Sequence, residues 1–499
     1  MLRTSSYTIY VDLPDNEREM LLVHGYTGAY DKVSRQVADY LRSHETRRPP
    51  KPLYGEWSPV PAADRGGGTP SETVLETLRR RGYLTPLSFA DEKEFFGRLA
   101  TQLHQRATQS APSFIFMPTY DCNLRCSYCF QDHMRTDGSF KHLLRSMRPQ
   151  MIERIFAAIP RIEARHGVEA SDEGGRRDIG FFGGEPLLAA NRPIIEAIIA
   201  KAGDRADFWA VTNGTEIEAY RDLLVPGKLD RLQITLDGPP REHDRRRVGA
   251  DGSGTFERIA RNVTMALELG TRISIRLNVD RNNLGDLPAV ADEIFARGWH
   301  RFDNFSAHTA TINPANDKTD KQTTMNSWEL DQGLTEMRQD HPNLRVIGRP
   351  DEGIRARARQ IFGGGDEILP QLKPSFCAAH SQMYIFDPFG DIYACWERTG
   401  DARIRIGHVE PDGEVELKLD QNRQWRSRTV ASNPVCQQCR YALHCGGGCA
   451  ILALGQRGKF HANYCDGFAS RFRASVADAY LAHLSGEQPE LHHQRVCDL

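Results

Sequence analysis

The sequence predicts an α/β protein built on a partial (β/α)6 barrel, with a smaller domain before it and another behind it. Three observations carry that expectation. Between residues 111 and 310, strand-like runs alternate with helical ones, the pattern of a parallel sheet with right-handed crossovers. Residues 1–95 read instead as strands followed by helices. Residues 375–475 hold seven closely spaced cysteines.

With 499 residues, the chain has room for roughly two to four domains. Its net charge is −2, so no global field favours nucleic acid or a membrane surface. The start, MLRTSSYTIYVDLPDNE, lacks an apolar signal core, and no run of about 18 apolar residues occurs. A cytoplasmic protein without nucleic-acid or membrane partners is therefore expected. The eleven cysteines lie in clusters far from the N-terminus, which reads as metal ligation rather than disulfides.

In the N-terminal segment, Tyr7, Ile9, Val11 and Leu13 alternate with polar residues. Asp15-Asn16 then offers a turn before Met20 to His24, predicting a β-hairpin. Val33, Val37, Tyr40 and Leu41 follow at helical spacing, and Val74, Leu75 and Leu78 repeat it before Arg81-Gly82-Tyr83-Leu84. Residues 45–70 are rich in Pro and Gly, as a linker or surface insertion would be.

In the central segment the expected strands are Ser113–Met117, Asp178–Phe182, Phe208–Thr212, Arg231–Leu236, Arg272–Asn278 and Arg301–Phe305. Helices are expected at Met151–Ala164, Pro193–Ala202, Phe256–Leu269 and Leu287–Arg297. Parallel α/β sheets place function at the C-terminal ends of their strands. After the first strand comes a loop with Cys122, Cys126 and Cys129, spaced C-x3-C-x2-C. Three soft anionic ligands so close together point to metal. Zinc wants a fourth protein ligand, for which His133 is the nearest candidate, whereas a 4Fe–4S cubane on three thiolates leaves one iron open. After the second strand comes Gly183-Gly184-Glu185-Pro186, and after the third Thr212-Asn213-Gly214-Thr215. Thr235-Leu-Asp237-Gly-Pro follows the fourth and runs on to Arg245-Arg246-Arg247; the fifth carries Arg276 and Asn278 on one face.

The cysteine spacing, with the aromatic Tyr128 before the last thiol, resembles the signature of the radical S-adenosylmethionine (radical SAM) enzymes. Gly183 to Pro186 resembles that family's GGEP motif. The resemblance implies a 4Fe–4S cluster on Cys122, Cys126 and Cys129 whose open iron chelates SAM. It implies SAM contacts from Tyr128, Gly183, Gly184, Glu185, Pro186, Thr212, Asn213 and Thr235. A cation for the SAM carboxylate is sought among the three arginines, with Arg247 favoured among them and a solvated charge run as the alternative. Arg276 would need a ligand or a core carboxylate, for which Glu185 is a candidate.

Near the C-terminus, Cys377, Gly390 and Cys395 precede Cys436-x2-Cys439-x5-Cys445-x3-Cys449 and then Cys465. This order resembles the SPASM extension of radical SAM enzymes that act mostly on peptides and proteins. A hairpin is expected at Met383–Phe386 and Ile392–Cys395, turning at Asp387 to Gly390. The resemblance implies two auxiliary 4Fe–4S clusters, three clusters in all. Cys377, Cys395 and Cys449 would serve the nearer one, and Cys436, Cys439, Cys445 and Cys465 the outer one. The nearer set lacks a fourth ligand, which is either an open site or Cys497. A double zinc ribbon is the alternative, and His380 and His444 read as neighbours of ligands.

The N-terminal segment resembles the winged-helix domain that recognises leader peptides in peptide-modifying enzymes, which bind a peptide at a sheet edge. An ordinary docking or capping domain is the alternative. The expected domains are therefore 1–95 peptide recognition, 111–310 barrel, 311–374 helical bridge, 375–475 SPASM and 476–499 tail. The implied function is a peptide maturase that uses a 5′-deoxyadenosyl radical to install a thioether, C–C or C–O cross-link in a ribosomally made precursor, with flavodoxin or ferredoxin as reductant. One rival is a sulfatase-maturase-like formylglycine-generating enzyme, whose acidic base follows the second SPASM cysteine; here Trp396 stands there, then Glu397. The other is a non-catalytic multi-cluster electron carrier. Residues 1–95 are expected to act as a tether whose removal spares SAM cleavage.

Overall fold

The computed structural model describes residues 2–48, 58–59, 68–168, 175–314, 319–363 and 371–486. Most of the Pro- and Gly-rich stretch, Cys497 and much of the tail lie outside the described residues. The chain forms two compact units that do not follow sequence order. Among the described residues, one comprises 2–106, 351–377 and 427–486; the other comprises 107–350 and 378–426.

The second unit holds the barrel. Six parallel strands stand side by side in sequence order: Ser113–Phe116, Arg177–Phe181, Ala206–Thr212, Leu229–Thr235, Arg272–Val279 and Phe305–Thr311. Phe114, Ile115, Ile179, Ile234 and Ile275 are fully buried, as strands covered on both faces require. The sixth strand corrects the expectation of Arg301–Phe305. Gly298, at φ 73°, ends the preceding helix and Trp299–Arg301 forms a short 3-10 turn. The Asn304 side chain then donates to the Leu267 and Thr271 carbonyls, so pairing begins only at Phe305. The expected hairpin forms and joins this sheet, with Met383–Phe386 running parallel to Ser113–Phe116. Asp391–Tyr393, Gly407–Val409 and Val415–Leu417 extend it antiparallel.

The first unit begins with a three-stranded antiparallel sheet of Thr8–Asp12, Glu19–His24 and Tyr30–Ser34. Val33 therefore belongs to a strand and not to the expected helix. Ser34 ends that strand and caps Arg35–Ser43, its hydroxyl accepting from the Val37 amide. The helix Glu72–Arg81 stops at Gly82, whose φ of 91° suits glycine, and Leu84–Thr85 returns to pair with Arg3–Thr4.

The unbroken apolar run Met20-Leu-Leu-Val23 is explained by burial on both faces of the sheet. Leu22 packs with Leu41, Leu75, Leu78 and Tyr83 on one side. On the other, Ile9, Val11, Leu13, Leu21 and Val23 share a core with Ala358 of Glu352–Phe362 and with Phe472, Val476 and Tyr480 of Phe468–Leu484. The Tyr7 hydroxyl donates to the Gln437 carbonyl, and a side chain on Gly25 would collide with the Arg440 carbonyl. On that face the N-terminal sheet has no core separate from those two helices.

Candidate functional site

The cysteine loop leaves the first barrel strand and is pinned by main-chain bonds. Arg125 N–H donates to Val248 O at 2.8 Å, Ser127 N–H to Arg246 O at 3.2 Å, and Ala250 N–H to Asn123 O at 2.8 Å. Gly183, at φ 146°, and Gly184 lie against it: a Cβ on either would strike the Thr119 or Asp121 carbonyl. Gly184 and Glu185 amides donate to those same carbonyls at 3.1 and 2.8 Å. The glycine pair was expected to admit a ligand; its visible use is to let the two loops close on one another.

Glu185 is buried and accepts from the Thr212 hydroxyl at 2.6 Å, the Asn213 amide at 2.6 Å and the Leu187 amide at 2.9 Å. The Asn213 side chain donates to Asn123 Oδ1 at 2.8 Å and approaches Cys122 Sγ at 3.8 Å. Pro186 continues the same turn, its carbonyl accepting from the Asn191 side chain, and Thr235 is buried at the end of the fourth strand. Burial pushes the Glu185 carboxyl up to about 7 from 4.5, against the pull of its three donors. The folded state thus holds this proton more tightly than the unfolded chain. Its stabilising contribution is complete below 4.5 and is lost as pH rises through about 7. Glu185→Gln should flatten that part of the profile, measured as the denaturation midpoint against pH.

The three adjacent arginines have different surroundings. Arg245 is exposed and pairs with Glu242 at 2.6 Å; Arg246 pairs with Asp280 at 3.1 Å. Arg247 is buried, donates to Tyr128 Oη at 2.8 Å, and its charge acts on the Cys126 sulfur. Tyr128 in turn donates to Asp237 and accepts from Asn278 Nδ2 at 3.1 Å. Arg276 was expected to meet Glu185, whose oxygens accept from Thr212, Asn213 and Leu187. Its Nε donates to Asn278 Oδ1 at 2.9 Å, and the carboxylate that feels its charge is Glu397. Glu397 accepts from Asn313 Nδ2 at 3.1 Å, and burial raises its pKa.

Arg135 was not singled out in the sequence, yet its guanidinium donates to Cys129 Sγ at 3.1 Å. A cation six residues after the last thiol, on a short helical turn, was the only local sign. Desolvation pushes Cys122 up to about 12 and Cys126 to about 11, with Arg135 and Arg247 respectively opposing it. Among the described residues, no three His, Cys, Asp or Glu side chains gather around one point as a single metal ion requires. His133 is exposed and packs on Phe140.

Cys436, Cys439, Cys445 and Cys465 all lie in the first unit, together with Cys377 and Cys449; Cys395 lies in the second. Gly446, Gly447 and Gly448 have φ of 75°, 84° and 76°, a turn that only glycine follows three times running. A Cβ on Gly448 would strike the Tyr464 carbonyl, so the turn bearing Cys445 and Cys449 lies directly on the loop bearing Cys465. Asn463 Nδ2 donates to Cys465 Sγ at 2.9 Å. Burial, then the charges of Cys439 and Cys465, push Cys445 up to about 12. His444 packs at a tilt on Phe472 and His380 stacks on Trp425, so both rings serve packing.

Residues 116–294 match the Radical SAM superfamily. A probable GTP 3′,8-cyclase of Methanococcus maripaludis is 29% identical over 193 residues, 38% of this chain and 57% of that protein. The chain thus spans little more than half the length of that curated relative. Native anSMEcpe with bound AdoMet and Cp18Cys peptide shares the fold at a TM-score of 0.54 and 16% identity, over 76% of this chain and 100% of that one. Streptococcus suis SuiB gives a TM-score of 0.48 at 14% identity, over 92% and 98%. Six parallel strands, the cysteine loop at the end of the first and the glycine turn at the end of the second agree with the family match: residues 116–294 are a radical SAM domain.

Proposed function

We propose that the protein is a radical SAM enzyme that modifies a ribosomally made precursor peptide, installing a thioether, C–C or C–O cross-link. The observation that carries the peptide reading is the strand Tyr30–Ser34. It is last in its sheet, half-buried with Lys32 and Ser34 exposed, and pairs on its outer edge with no strand among the described residues. An extended leader would add there as a fourth strand, with main-chain bonds supplying affinity.

Cys122, Cys126 and Cys129 would hold the SAM-binding 4Fe–4S cluster. The donor set suits that group: three thiols on one loop, with Arg135 and Arg247 placed to offset their negative charge. When bound, the cluster and SAM supply one-electron cleavage of SAM and hydrogen-atom abstraction from the substrate. The chain's part is to position and shield. The turns at Gly183 to Pro186 and at Thr212-Asn213, with Thr235 and Arg247, would orient SAM. Tyr128, Asp237 and Asn278 hold Arg247 in place. The C-terminal thiols would hold two auxiliary clusters, with Cys377, Cys395 and Cys449 on one and Cys436, Cys439, Cys445 and Cys465 on the other. The like-charge crowding around Cys445 and Cys436 is what metal relieves.

The test is anaerobic reduction with SAM, a ferredoxin or flavodoxin, and a candidate precursor. The expected products are 5′-deoxyadenosine and a peptide lighter by two hydrogen atoms. Leader binding should also slow amide exchange within residues 30–34. Exchange that slows elsewhere and leaves this strand unchanged would remove the edge-addition reading. A second reading, oxidation of one Cys or Ser side chain to an aldehyde, is favoured by Glu397, an acidic group that accepts from Asn313 and feels the charge of Arg276. A hydrazide probe that labels the product would decide for it.

A further inference from the structure

Arg428 belongs to no motif in the sequence. It is 3% exposed in the first unit, and its guanidinium reaches three main-chain carbonyls. Nε donates to Phe460 O at 2.9 Å; Nη2 donates to Ala462 O at 2.9 Å and to Gly447 O at 3.4 Å. Gly447 lies between Cys445 and Cys449, while Phe460 and Ala462 lie on the loop that leads to Cys465. One side chain therefore ties together the two segments that carry three of the C-terminal cysteines. A planar fork with several fixed donors can do this; a lysine ammonium on a flexible stem cannot reach all three carbonyls in the same way.

Carbonyls satisfy the donors but carry no net charge, and a buried cation in dry surroundings is costly without an anion. Burial lowers the Arg428 pKa, and among the charges that oppose this are the sulfurs of Cys436, Cys449, Cys377 and Cys445. Those four span both sets of proposed auxiliary ligands.

We propose that Arg428 is a positioning residue for the auxiliary clusters, fixing the Cys445–Cys449 turn against the Cys465 loop and supplying the buried positive charge that their thiolates face. The inference rests on the Fe–S reading of these cysteines. Two consequences separate. As a strap, Arg428 governs how firmly metal is retained. As a charge, it stabilises the reduced, more negative clusters and so raises their potential.

The experiment compares the intact protein with Arg428→Lys and Arg428→Met after anaerobic reconstitution. Metal per chain is read during a chelator challenge, and the auxiliary potentials by EPR-monitored titration. Both variants should release metal several-fold faster than wild type. Arg428→Met should shift the potentials negative, while Arg428→Lys keeps them near wild type. Wild-type retention in both variants would overturn the strap, and equal potentials in wild type and Met would overturn the charge. If the Met variant does not fold, Arg428→Gln, which keeps a donor without charge, takes its place in the potential comparison. Stoichiometric zinc in the wild-type C-terminal sites would overturn the Fe–S reading itself, and the retention comparison would still decide whether Arg428 is the strap.

Discussion

Replacing Cys122, Cys126 and Cys129 together with Ala should remove about four iron atoms per chain and abolish SAM cleavage, leaving the auxiliary iron in place. The three thiols sit on a loop held by its own main-chain bonds to residues 246–250, and none of those bonds uses a sulfur. The backbone of the loop should therefore survive the loss. The principal cost falls on Arg135 and Arg247, which would lose the anions they face. Arg247 keeps the Tyr128 and Asp237 contacts, so the barrel should remain folded. Iron analysis, 5′-deoxyadenosine production and circular dichroism on the same preparation test all three statements. Undiminished 5′-deoxyadenosine from the triple variant would sink the assignment of this loop. Loss of all the iron would instead mean that the C-terminal sites depend on the first.

What was legible in the sequence was local. The C-x3-C-x2-C spacing and the Gly183-Gly184 turn announce themselves because a few adjacent residues must satisfy one tight geometry. The parallel strands are legible for a similar reason: Ser113–Phe116 and its neighbours are short apolar runs bounded by polar turns. The sixth strand slipped because Arg301-Phe-Asp-Asn-Phe305 offers no alternation, and the start of pairing is set by Asn304 bonding to a helix end far back in the chain. Val33 fitted a helical spacing with Val37 equally well, and only the Ser34 cap separates strand from helix. Glu397 as the partner of Arg276 was invisible, since 121 residues of chain separate two groups that the fold brings together. Arg428 was invisible for the same reason, because its acceptors are carbonyls, which every residue has.

Long-range packing also decides the prediction with the broadest effect, deletion of residues 1–95. The sequence order suggests a module that could be cut away without touching any ligand, since every cysteine follows residue 110. The first unit argues otherwise. Ile9, Val11, Leu13, Leu21 and Val23 cover Phe472, Val476 and Tyr480, and burying one such side chain contributes about 1.5–3 kcal/mol. Five of them together rival the ~5–15 kcal/mol by which a whole domain is stable. The same deletion strips Tyr7 from the Gln437 carbonyl, between Cys436 and Cys439, and uncovers the Arg440 carbonyl that Gly25 packs against. The truncated protein should therefore lose solubility and auxiliary iron, as well as peptide binding. Phe472→Ala in the intact chain should give a graded form of the same defect, at about 3–5 kcal/mol. Supplying residues 1–95 as a separate chain during expression should restore part of the iron, because the missing face is a surface and not a linker. A soluble truncated protein with full auxiliary iron and normal SAM cleavage would reject this account and restore the simple tether, with leader binding lost and the catalytic domains untouched.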